Sequence, residues 1–170
     1  MAYTYSKLAS TTVGSGGAAT IAFNNIPQNY TDLVLKLSLR QDPATNAPGG
    51  YISFNGTTLN YTGRQLTGSG SVASSTTNTN GFIGDTDGAS DTTNTFSNQE
   101  IYIPNYAGTA NKSFSIDSVM ENNATGASAI LIADLWSSVT AISSITLYCS
   151  STRKYVQYST ATLYGIRVEL

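Results

Sequence analysis

Thr31-Asp-Leu-Val-Leu-Lys-Leu-Ser-Leu-Arg40 decides the fold class. Leu33, Leu35, Leu37 and Leu39 recur at every second residue, with Lys36, Ser38 and Arg40 out of phase with them. Side chains two apart share one face of a strand, whereas on a helix these leucines would be spread around the cylinder and no apolar stripe would form. The spacing predicts a strand of about 30 Å at ~3.3 Å per residue, enough to cross a whole sandwich face.

The same period recurs outward from this stretch. Lys112–Glu121 sets Phe114, Ile116, Ser118 and Met120 against Ser113, Ser115, Asp117 and Glu121. Ile101 and Ile103 precede Pro104, which cannot donate to a ladder and marks a strand end or edge. Ile145, Leu147 and Cys149 alternate with polar or amphipathic neighbours, as do Tyr164, Ile166, Val168 and Leu170, so both segments read as half-buried strands. Shorter candidates are Thr4–Ala9, Ala19–Phe23, Tyr51–Phe54, Asn60–Leu66 and Gly81–Gly84. Asn55-Gly56 is a two-residue hairpin signal, because both residues accept positive φ. Ser128–Ser137 contains a continuous apolar run that suits a strand buried on both faces or a short helix. Its β neighbours and the bounding Gly126 and Ser137-Ser138 favour the strand, with Trp136 anchoring the core.

Two polar stretches read as long loops: Gln41–Gly50, with two prolines and two glycines, and Gly68–Asn94, almost all Gly, Ser, Thr, Asn and Asp. Neither flank holds a core of its own, so residues 1–170 form one domain, with 1–9 as a candidate N-terminal arm. About ten short strands without a repeat of fixed period predict an all-β antiparallel sandwich. Without a Cys-Trp-Cys framework, the eight-stranded jelly roll is favoured over the immunoglobulin type.

Composition narrows the function. The 170 residues contain no histidine and one cysteine, only 11% are charged, and Ser, Thr and Asn fill about a third of the chain. Few groups remain from which to build a general base, an activated nucleophile or a transition-metal site, and a histidine-dependent triad is excluded. The net charge of −2 and the scattered lysines supply no field for nucleic acid. No apolar run approaches the ~20 residues of a membrane helix, and Met1–Lys7 carries no secretory pattern, so synthesis in the cytoplasm is expected. The sequence calls for no cofactor. Cys149, in an apolar alternation, reads as a buried structural thiol.

Candidate sites are few. Asp85, Asp87 and Asp91 on a Gly-bearing loop resemble an oxygen cluster for a hard cation, but without the EF-hand spacing they read as an ordinary acidic turn. Asp117 and Glu121 share a strand face at a separation of roughly 13 Å, too far for a glycosidase pair. Asp134 is the oddest carboxylate, expected to be salt-bridged or to point outward. Trp136 as a platform for a sugar or base is the minor alternative to its core role. Of the 11 tyrosines, Tyr3 and Tyr5 share one face of the N-terminal strand and are the candidate partner-binding residues.

Tyr3-Thr-Tyr5-Ser-Lys7-Leu-Ala9, Ile26-Pro-Gln-Asn-Tyr30-Thr-Asp-Leu33, Glu100-Ile-Tyr-Ile-Pro104-Asn-Tyr106, Lys112-Ser-Phe-Ser-Ile116-Asp-Ser, Glu121-Asn-Asn-Ala and Ala161-Thr-Leu-Tyr164-Gly-Ile166 together cover most of the chain. In these stretches it resembles small virion proteins of tailed phages that infect cyanobacteria and other aquatic bacteria. The resemblance implies a non-enzymatic, jelly-roll-like capsid decoration or cement protein, a homotrimer bound to the major capsid protein on the outer shell of the virion. It carries over no functional residues. The rival reading is a receptor- or glycan-binding head of a tail fibre, which shares the fold; an internal scaffold or head-completion protein is a third.

Overall fold

The computed structural model describes residues 2–123, 126–150 and 152–169, with backbone alone at 2, 3, 168 and 169. Its strands are β1 (Ala2–Thr12), β2 (Thr20–Phe23), β3 (Asp32–Leu39), β4 (Gly49–Phe54), β5 (Tyr61–Gly68), β6 (Ala73–Asn78), β7 (Phe82–Asp85), β8 (Ser97–Ile103), β9 (Lys112–Glu121), β10 (Ala127–Trp136), β11 (Ile145–Cys149) and β12 (Thr160–Glu169). They form an eight-stranded sheet ordered β1-β12-β3-β8-β9-β10-β5-β6 and a four-stranded sheet ordered β2-β11-β4-β7, with every ladder antiparallel.

The all-β sandwich expected from the alternation is present, and its topology is legible once two hairpins are set aside. Without β5-β6 and β9-β10, the other strands make two four-stranded sheets, β1-β12-β3-β8 and β2-β11-β4-β7. Strands that follow one another along this reduced chain mostly switch sheets, the double Greek key of a jelly roll. The hairpins then join through the β10-β5 ladder and widen only the large sheet.

The core lies between the sheets. Leu33, Leu35, Leu37 and Leu39 are buried and face Ile52, Phe54, Ile83, Ile145 and Leu147 in one cluster. Val34, on the opposite face of β3, is buried as well, although it lies outside that cluster. Beneath the added hairpins the core turns aromatic: Phe54 meets Phe114 and Trp136 edge-on at 5.2 and 5.5 Å, and Tyr61 stacks on Trp136 at 6.5 Å. Such pairs contribute about 0.5–1.5 kcal/mol each beyond area burial. Trp136 is thus a core anchor, unavailable as a binding platform.

Several expectations need correction. Of the arm expected over 1–9, residues 2–9 are not free, and Met1 lies outside the described residues. Ala2–Thr12 is paired along its length with β12, Leu8 and Ala9 pack against the core, and a bulge between Lys7 and Ala9 interrupts the ladder. Gly68–Asn94 is not one long loop, since β6 and β7 lie within it. Asn55 and Gly56 do take φ of 51° and 74° and close a two-residue turn with an antiparallel Phe54–Thr57 bridge, but the chain then leaves β4 for the other sheet instead of continuing as a hairpin strand.

On β12 the phase is reversed. Ala161, Leu163 and Gly165 face inward, which leaves Tyr164 and Ile166 on the outer face of the large sheet; the Val168 side chain and Leu170 lie outside the described residues. Ser118 does face inward, where a larger side chain would not fit. Gly84 of β7, at φ +109°, passes so close that a methyl there would overlap the Ser118 hydroxyl.

Candidate functional site

The polar loops at one end of the sandwich hold each other. The buried Arg40 guanidinium donates to the carbonyls of Asp91, Thr92 and Thr95 at 2.8–3.1 Å. Arg40 was expected at the solvent-facing side of its strand; these three carbonyls are what draw it inside. The three loop carboxylates diverge. Asp85 accepts from Ser128 Oγ, Asp87 accepts from Thr95 Oγ1, and Asp91 accepts from the Gly88 amide and from Asn122 Nδ2. Each satisfies a different neighbour, and among the described residues no group of acids, Cys or His converges as a metal site would require.

Asp134 is neither paired nor outward-facing. It is 2% exposed, and its oxygens have no hydrogen-bond partner of good geometry. Burial pushes its pKa up to about 7, against a smaller opposing pull from the Leu135 backbone amide. Asn78, also without a side-chain partner, is its neighbour. A methyl at Gly63, between them in the ladder, would collide with both.

What the molecule does present is the outer face of its large sheet, whose rows follow from the strand register. One row runs Lys7, Tyr164, Val34, Tyr102, Ser115, Ala133, Arg64, Thr77; the next runs Thr162, Lys36, Glu100, Asp117, Leu131, Leu66, Ser75. Toward β1 the face is aromatic. Tyr5 is 56% exposed and meets Tyr164 edge-on at 6.4 Å, while Tyr102 donates to Asp32 Oδ2. Tyr5, singled out from the sequence, is therefore available for contact; the Tyr3 side chain lies outside the described residues.

Across the centre, Lys36 pairs with Glu100, and Glu100 stands directly opposite Asp117. Toward β5 the face is aliphatic. Leu131, Leu66 and Val119 are 58%, 54% and 43% exposed, with Ala129 and Ala133 among them. Shallow troughs run across this region, one of them, of about 550 Å³, lined by Thr62, Arg64, Thr77, Ala133, Asp134 and Leu135. The apolar run of β10 is thus buried on one face only, which sequence reasoning missed. An uninterrupted apolar stretch cannot say that half of it stays outside.

Fold and surface together define an antiparallel jelly roll that offers a wide, partly apolar sheet face. Compared with known proteins, the chain matches no family model, no curated protein and no solved structure.

Proposed function

We propose that this chain is a structural protein of a phage virion, a capsid decoration protein that binds the outer surface of the major capsid shell and cements its subunits. The observation that carries the reading is the flank of inserted hairpins, which adds four strands beside β8 and leaves an exposed aliphatic patch of Leu66, Val119 and Leu131 on its outer face. An enzyme gains nothing from such a face, whereas a protein that bridges neighbours gains area for many individually weak contacts, held together by high effective concentration. The resemblance of Tyr3–Ala9, Glu100–Tyr106 and Lys112–Ser118 to phage virion proteins supports the same reading, as does the buried, unreactive Cys149, whose thiol burial pushes up to about 12.

The test is a density map of intact particles together with rebinding of the purified protein to undecorated shells. Hundreds of copies on the shell and saturable rebinding are expected. About a dozen copies confined to the tail, with binding of the isolated protein to host cells, would replace the reading with that of a fibre head.

A further inference from the structure

We infer that Asn80 is a modification site, an asparagine that the folded chain converts to aspartate and isoaspartate through its own backbone. Three pairs in the sequence carry the chemistry for this, Asn55-Gly56, Asn80-Gly81 and Asp87-Gly88, because a following glycine has no Cβ to keep its nitrogen from the side-chain carbonyl carbon. The structure disarms two of them. Asn55 Nδ2 donates to the Ala141 carbonyl at 2.8 Å, and Asn55 Oδ1 accepts from the Ser143 amide, the Ser143 hydroxyl and the Ser144 amide at 2.8–3.2 Å. Asp87 is fully buried with Oδ1 accepting from Thr95 Oγ1, and the Gly88 amide is engaged by Asp91 Oδ2 at 2.6 Å.

Asn80 is left free to react. It is exposed in the turn between β6 and β7, and neither its carboxamide nor the Gly81 amide makes a hydrogen bond among the described residues. The Asn80 carbonyl accepts from Tyr148 Oη at a long 3.2 Å. The fold also keeps glycine in the second place. Gly81 sits at φ +66°, its carbonyl accepts from the Ile52 amide at 2.8 Å, and a methyl there would come within 2.5 Å of the Ile52 carbonyl oxygen.

In the reaction the Gly81 nitrogen gives up its proton to hydroxide or water and attacks Asn80 Cγ. A C–N bond forms, the carboxamide nitrogen leaves as ammonia, and a succinimide ring stands in the backbone. Water then opens the ring. Addition at Cγ leaves an aspartate side chain on an ordinary peptide; addition at the Asn80 backbone carbonyl leaves isoaspartate, with an extra methylene in the chain. Carboxamide and water become carboxylic acid and ammonia, with no change of oxidation state. Either product adds a negative charge to a chain of net charge −2, beside the uncharged cross-strand row Thr20, Tyr148, Tyr51, Phe82. Isoaspartate also turns the acceptor of Tyr148 into a free carboxylate.

Peptide mapping of the full chain by mass spectrometry, after incubation in mildly alkaline buffer at body temperature, tests this, with isoaspartyl methyltransferase labelling to separate the two products. Asn80 should convert faster than Asn55 by at least about tenfold, and no isoaspartate should build up at Asp87. In denaturant, where hydrogen bonds no longer distinguish them, Asn55 and Asn80 should convert at similar rates. Asn80→Gln should abolish the acidic species that accumulates in the folded wild type. An Asn80 that stays intact in the folded protein while it converts in denaturant would overturn the inference, as would an Asn55 that keeps pace with it in the native state. Isoaspartate appearing first at Asp87 would do the same.

Discussion

Asp134 lies directly across the ladder from Gly63, and the missing side chain at Gly63 is what leaves room for its carboxylate inside the sandwich. The acid has kept the position of a core residue: Ile130, Ile132 and Trp136 share its face of β10 and are all buried.

Stability should fall as pH rises through the acid range. The folded-state pKa of Asp134, about 7, lies above the unfolded value of 3.8, so between these limits the native state binds more protons and unfolding becomes easier with each step of pH. Above about pH 7 this contribution levels off. Burial raises Asp85 and Asp87 in the same direction, so they add to the slope at its acid end. Urea unfolding from pH 4 to 8 should show Asp134→Asn more stable than the wild type at pH 8 by on the order of 3 kcal/mol, with the difference closing toward pH 4. A constant difference across the range would refute the assignment.

Gly63→Ala should destabilise by about 1–3 kcal/mol, because the added methyl has to displace the Asp134 carboxylate or the Asn78 amide. In an Asp134→Ala background the same change should cost measurably less. A double-mutant cycle with no coupling would mean that neither group constrains the position.

Arg40→Ala should cost on the order of 2–4 kcal/mol and release the segment from Asp87 to Thr95 first, since three loop carbonyls lose their donor inside the protein. Hydrogen exchange of the amides of Gly88 and Asp91 should rise well before that of β3. Equal protection of these amides in variant and wild type would show that Arg40 does not hold the loops.

Cys149 should resist a thiol reagent at pH 8 in the native protein and react fully in denaturant. Burial holds the thiol far above neutrality, and beside it lies Tyr155, itself buried. Labelling that tracks denaturant unfolding would confirm it; rapid native labelling would contradict it.

Period-two patterning carried most of the fold. It was clear in β3 and β9, where one face is apolar and the other, Val34 and Val119 apart, hydrophilic, and Pro104 marked the end of β8. It was silent in β6, Ala-Ser-Ser-Thr-Thr-Asn, whose two faces are equally polar. On β12 the signal misled. Gly165 has no side chain to show that its face is the inner one, and Tyr164 and Ile166 supply an apolar alternation that belongs to the outside. The candidate surface was least legible, because it is assembled from register. Asp117, Leu131, Leu66 and Arg64 come from three strands whose order no local pattern announces.

The bulge at Leu8 and the hydroxyl-rich β6 sit at opposite borders of the large sheet. Each makes a poor template for another strand, one by breaking the ladder and the other by offering no apolar side chain larger than Ala73 to lock a newcomer in place. Molecules of this kind can be crowded shoulder to shoulder without zipping into fibrils.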